Sequence, residues 1–189
     1  MPRSRKVLLT TAVVGATAAV AGLGAFAAFT ATTSNTGNSI TTGTVAISDN
    51  DAGVALYTLP AVGPGSSVTR CIRVTYSGSL GANVHLYRSN TVTNGTQFNI
   101  QVERGSGLSG AFPTCTGFTA AGIVYNGDLQ TLGTDWGSGP DARGGAAWAT
   151  NDVVDYRFTI SVPDDPTPNA HTTPVSSSAH SFTWEARNN

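Results

Sequence analysis

Three histidines, two cysteines and a few aspartates are the residues of this chain whose types could do chemistry. His85, His171 and His180 stand far apart. None belongs to a His-Glu-x-x-His run, the helical spacing that turns two imidazoles onto one zinc ion. Each also has a plain structural setting. His85 alternates with Val84 and Leu86, which predicts a solvent-facing strand position; His171 lies in a Pro/Thr-rich loop, and His180 opens the last strand. No Gly-x-Ser-x-Gly elbow offers an activated serine. Asp49-Asn50-Asp51 could give oxygen ligands to calcium. It lacks the spacing of an EF-hand loop and serves equally as a turn, so Asp49 and Asp51 remain weak calcium candidates. Asn94-Gly95-Thr96 carries a glycosylation sequon, but Asn-Gly is also a hairpin turn. Of the three tryptophans, Trp184 falls on the inward face of its strand. Trp136 sits in a Gly-rich loop and is the candidate platform for stacking on a sugar. The reading is of a chain with no catalytic residues, no metal centre and no cofactor.

What Cys71 and Cys115 do depends on the compartment, and the first residues set it. Arg3, Arg5 and Lys6 form a basic start, an apolar run follows from Val7 to Phe26, and Ala25-Phe26-Ala27 puts small residues where a signal peptidase reads. Residues 1–27 are thus expected to be a helical signal peptide, cleaved between Ala27 and Ala28. The run is long for such a peptide, so an uncleaved N-terminal anchor is the rival reading and the one route to a membrane. Two cysteines in an exported chain point to one disulfide, with two free thiols or an intermolecular bridge as the alternatives.

Export also changes the charge. Without Arg3, Arg5 and Lys6 the chain keeps seven arginines against eleven acidic residues, with no basic cluster and no lysine. Nucleic acid and anionic membrane surfaces are excluded as partners on that count. Covalent polymerisation through a lysine amine is excluded as well, so any polymer must rest on noncovalent contacts or disulfides.

The elements that must position these residues are strands. Helix-period patterns are missing, and short period-2 runs are separated by Gly, Pro and Asn clusters. Asp152–Val162 places Tyr156, Phe158, Ile160 and Val162 on one face, with Asp155, Arg157, Thr159 and Ser161 on the other. Ser181–Arg187 alternates Phe182, Trp184 and Ala186 with Thr183, Glu185 and Arg187. Val68–Tyr76 follows the Gly63-Pro64-Gly65 turn. Weaker runs are Ile40–Ile47, Val54–Leu59, Asn83–Tyr87, Phe98–Arg104 and Phe118–Tyr125. Loops are expected at Gly105–Thr116, at Leu132–Gly145 as a surface excursion, and at Asp164–Ser178. Eight or nine such strands make an all-β, two-sheet sandwich of jelly-roll type over residues 40–189. Residues 28–39 precede it as a polar, Thr-rich segment that cannot fold alone but accepts β structure.

Several motifs then occur in one order. Gly24-Ala25-Phe26-Ala27-Ala28-Phe29 is followed by Ser39-Ile40-Thr41-Thr42-Gly43-Thr44-Val45-Ala46-Ile47. Next come Leu59-Pro60 with Gly63-Pro64-Gly65-Ser66-Ser67-Val68, then Val74-Thr75-Tyr76-Ser77-Gly78-Ser79-Leu80, and last Phe182-Thr183-Trp184-Glu185-Ala186-Arg187. The series resembles the TasA/camelysin (CalY) family of secreted proteins, whose signal peptides are removed by a SipW-type signal peptidase. Ser66 stands where that family has an Asp, and the absence of lysine and the cysteine pair also depart from it. The resemblance implies a jelly-roll sandwich and a structural role in cell-envelope or biofilm-matrix fibres. In these the freed N-terminal strand of one subunit completes the sheet of the next. Here it implies a donor segment carrying Phe29, Ile40, Val45 and Ile47, a homopolymer, and an extracellular or cell-surface location. A monomeric secreted adhesin or carbohydrate-binding sandwich is the alternative. A camelysin-like metallopeptidase is a third reading, which the scattered histidines do not favour.

Overall fold

A computed structural model describes residues 42–59, 63–164 and 177–188. The expected signal-peptide helix, its cleavage residues Ala25, Ala27 and Ala28, and Phe29, Ile40 and His171 lie outside the described residues. Those described contain seven β-strands and no α-helix. They are β1 (Ile47–Asp49), β2 (Ser67–Tyr76), β3 (Ala82–Ser89), β4 (Asn99–Ser106), β5 (Thr119–Asp128), β6 (Val153–Ser161) and β7 (Ser181–Asn188).

The strands form two antiparallel sheets. One runs β1-β2-β6-β4-β5 and the other pairs β3 with β7. The alternation in each strand explains why the two faces meet. Ile72, Val74 and Tyr76 of β2, Val154, Tyr156, Phe158 and Ile160 of β6, and Ile100 and Val102 of β4 turn to one side of the large sheet and are buried. Ala82, Val84 and Leu86 of β3 are buried opposite them, and Phe182, Trp184 and Ala186 of β7 pack on the same core. The inner layer is aromatic: Phe158 lies 4.7 Å from Phe182 and Tyr156 lies 5.3 Å from Trp184, ring centroid to centroid. The tilted contacts suit rings with a negative face and a positive edge.

Several loops depart from the expected layout. Val54–Leu59 alternates like a strand but is irregular, while Leu56, Tyr57 and Leu59 still pack on the core. It lies in the connection between β1 and β2 of the large sheet and packs on the core without joining a ladder. The strand expected at Ile40–Ile47 is confined among the described residues to β1, which starts at Ile47. Asn94 makes no two-residue hairpin; it takes a left-handed conformation (φ 54°) and leads into a short 3-10 turn, Gly95–Gln97, between β3 and β4.

The Leu132–Gly145 stretch is not a free surface excursion. Leu132, Ala142 and Trp148 are buried, and the segment pairs along β3. Ala82 and Trp148 exchange both backbone hydrogen bonds, the Leu86 N–H donates to Pro140 O, and the Ala142 N–H donates to Val84 O. Backbone groups that a two-stranded sheet leaves open are thus satisfied on the β3 side.

The outer face of the large sheet is covered in part as well. The β4–β5 connection, residues 107–118, folds back over β6 toward β2. Its Cys115 forms a disulfide with Cys71 (Cα–Cα 5.1 Å), and the Cys71 N–H donates to Pro113 O. Beneath it, Asp155 is almost fully buried although the period-2 pattern puts it on the solvent side. Arg73 grips its carboxylate through Nε and Nη2, at 2.7 and 3.0 Å, and the Leu108 N–H donates to it at 2.8 Å. The covering loop thus buries Asp155 on the face of β6 opposite the core.

Candidate functional site

The site that the fold leaves unfinished is the side of the sandwich where β1 and β7 end the two sheets. Between them runs a solvent-open groove of about 190 Å³ lined by Ile47, Ser48, Asp49, Val74, Phe182, Thr183 and Trp184. Val74 is buried, and Ile47, Phe182 and Trp184 are each half-buried, so the groove has an apolar floor beneath polar lips.

The β7 edge of this groove can be read from the ladder. In an antiparallel pair, alternate residues point their backbone groups toward the partner strand. On β3, Ala82, Val84, Leu86 and Arg88 turn theirs to residues 133–148. Asn83, His85, Tyr87 and Ser89 therefore face β7, opposite Arg187, Glu185, Thr183 and Ser181. The N–H and C=O groups of Phe182, Trp184 and Ala186 point away from β3. Among the described residues, β7 pairs with β3 alone. An edge of this kind is a template for a further strand.

At the lower end of the groove the Tyr57 hydroxyl and Nε2 of His180 share a hydrogen bond, and Nδ1 of His180 donates to Ser178 O. Both rings contact Phe182. His180 is thus a clasp between the 54–59 segment and β7, and burial pushes the Tyr57 hydroxyl's pKa upward.

Of the residues singled out for chemistry, Ile47 lies in β1 opposite Tyr76 of its own chain, and Val45, just before it, is partly exposed. Ile47 is therefore occupied within the subunit, whereas Val45 is exposed; Phe29 and Ile40, the other expected donor residues, lie outside the described residues. Asp49 and Asp51 are turned to local backbone. Asp49 accepts from the Asp51 N–H and Asp51 from the Gly53 N–H, while Asn50 accepts from the Arg73 N–H. This is a pair of Asx turns. Among the described residues no three His, Cys, Asp or Glu side chains gather as metal ligands.

His85 and Trp136 correct the expected picture. His85 does not stand free on a solvent face: its ring stacks on Trp136 at 4.2 Å and 13°, and its Nδ1 hydrogen-bonds Trp136 O at 2.8 Å. The Arg187 guanidinium lies 4.7 Å from the same indole. Trp136 is half-buried and pins the 133–148 segment to the outer face of β3 and β7. A ring engaged by two side chains is a poor open platform for a sugar. Sequence reasoning missed this because the partners of Trp136 lie 51 residues before and 51 after it.

Beside that ring Arg187, and after it the Tyr87 hydroxyl, hold the Glu185 carboxyl below its usual pKa. A depressed carboxyl stabilises the fold above its unfolded-state value, and the contribution is lost as pH falls through the folded value. Glu185→Gln is therefore expected to lower stability at neutral pH and to flatten the acid limb of the stability profile. Thermal unfolding of both proteins from neutral pH into acid measures it; parallel profiles would contradict the assignment.

No protein-family model matches the chain, and no curated protein matches it. Among the described residues no helix is long and apolar enough to cross a membrane. The functional reading therefore rests on the groove, the free edge and the sequence before them.

Proposed function

We propose that the chain is an exported, non-enzymatic structural protein of the cell envelope or extracellular matrix. It assembles into fibres when the N-terminal segment of one copy, residues 28–41, adds as a strand to the sandwich of another. On this reading the sandwich has the jelly-roll character of the TasA/camelysin family, a SipW-type peptidase frees the segment, and the product is extracellular.

One observation carries the proposal: the outward backbone edge of β7 beside an apolar groove. A strand laid there would satisfy the N–H and C=O groups of Phe182, Trp184 and Ala186 and cover Phe182 and Trp184. The occupant is drawn from this chain because its Thr-rich composition accepts β structure and it carries no charge between Ala28 and Thr41. A contact that joins different surfaces head to tail and does not close into a ring makes a filament.

Electron microscopy of purified Ala28–Asn189, beside the same chain lacking Ala28–Ser39, tests the function. Fibres from the first and none from the second are expected. Monodisperse particles from both would overturn the structural-fibre reading in favour of a self-contained binding domain.

A further inference from the structure

The two sulfurs of the disulfide are unequally placed to react. Cys71 lies on the outer face of β2 and is 1% exposed. The 107–118 loop covers it, and its N–H is taken by Pro113 O. Cys115 lies in that loop, half-buried between the exposed Thr114 and Thr116. Thiol–disulfide exchange is an in-line displacement, so the entering thiolate, the attacked sulfur and the leaving sulfur share one axis. A thiolate that attacks Cys115 Sγ arrives from the side away from Cys71, at the cysteine that keeps surface in solvent. One that attacks Cys71 Sγ must reach a sulfur that the loop and the sheet enclose.

The loop has holds of its own besides the bond. The Ser109 N–H donates to Thr116 O and the Thr114 N–H to Ala111 O. At its neck Gly107 (φ 92°) and Gly117 (φ 80°) pass so close that a Cβ on either would press on the carbonyl oxygen of the other. A left-handed backbone without a side chain is needed at both places, and glycine supplies it. At one foot Leu108 is buried; its N–H donates to Asp155 and its C=O accepts from Arg73 Nη2. At the other foot the Arg157 guanidinium lies 4.8 Å from the Phe118 ring. None of these contacts involves sulfur.

We infer that the folded dithiol form is oxidised through Cys115, with Cys71 as the resolving cysteine, and that its partner is the disulfide of a Cys-x-x-Cys oxidoreductase. The Cys115 thiolate attacks one sulfur of the partner's disulfide. That S–S bond breaks, one partner sulfur leaves as a thiolate, and the other stays joined to Cys115. The Cys71 thiolate then attacks Cys115 Sγ and displaces the second partner sulfur. The chain gives up two electrons and two protons, and the partner's disulfide becomes a dithiol. Reduction retraces the path, again entering at Cys115. The partner meets the loop tip, where Ala111, Thr114 and Thr116 are exposed. Oxidation thus locks a loop that its own contacts have already set over β2 and β6. This inference is independent of the strand-addition reading.

Glutathione disulfide, added to the reduced chain below its unfolding temperature, serves as the probe. Cys71→Ser is expected to form the mixed disulfide roughly tenfold or more faster than Cys115→Ser, with the two rates converging in urea. Reduced wild-type chain, quenched with acid during oxidation, is expected to carry glutathione on Cys115 by peptide mass analysis. Equal rates in the folded variants, a faster Cys115→Ser, or glutathione on Cys71 of the wild-type chain would overturn the inference. Thermal unfolding of the reduced wild-type chain and both variants reports the fold. A reduced chain with no cooperative transition would overturn the inference too, since no folded loop would then present Cys115.

Discussion

Replacing Arg73 with alanine is expected to cost roughly 3–5 kcal/mol, the range for stripping one partner from a buried ion pair. Asp155 is 1% exposed, and its carboxylate is held by Arg73 and by the Leu108 N–H. Without Arg73 a single backbone N–H faces a desolvated negative charge. The reverse substitution is milder. Arg73 keeps about a third of its side-chain surface in water, so Asp155→Asn leaves a cation that solvent can reach. Its amide oxygen can still accept from Leu108, for a loss of roughly 1–3 kcal/mol. The asymmetry is the diagnostic result. Urea unfolding of the two variants measures it, and equal losses would show that Asp155 is not the buried member that matters.

The disulfide carries an effect of similar size. Cys71 and Cys115 are 44 residues apart. In the chain-entropy model a loop of that length stabilises by about 4 kcal/mol, by restricting the unfolded chain. Cys71→Ser with Cys115→Ser is expected to lower the melting temperature by roughly 8–16 °C for a domain of this size. Reduced wild-type protein should melt with the double variant. A fall of only a degree or two would contradict the assignment. The bond and the Arg73–Asp155 pair anchor the same covering loop, so the two losses should be less than additive when combined.

That loop also marks where the sequence stops being legible. Period-2 alternation located β2, β6 and β7 closely, because each has one face against the core and two to four large apolar residues to declare it. It put Asp155 on the outer face correctly, yet could not say that residues 107–118 return to bury that face. Return of a distant loop is a long-range event with no local period. The same limit hid the pairing of residues 133–148 with β3, where Gly-rich composition reads as a surface loop while Leu132, Ala142 and Trp148 are buried. It also hid the stacking of Trp136 on His85. Val54–Leu59 failed in the opposite sense. Its apolar residues are needed by the core, but the segment connects two neighbouring strands of the large sheet and joins no ladder itself. Of the candidate site, the proposed donor segment came from composition and from the family resemblance. The proposed acceptor edge, open among the described residues, was not legible, since an unpaired edge is a property of sheet order.

The central claim is that the β7 edge and its groove receive the N-terminal segment as a strand. The most direct measurement is calorimetric titration of a synthetic peptide of residues 28–41 into the chain lacking Ala28–Ser39. The account predicts saturable binding at one peptide per chain, a gain in antiparallel β signal, and loss of binding when Trp184→Asp places a charge on the groove floor in a variant that still unfolds cooperatively. No binding by the folded, truncated chain, or binding indifferent to Trp184→Asp, would contradict it.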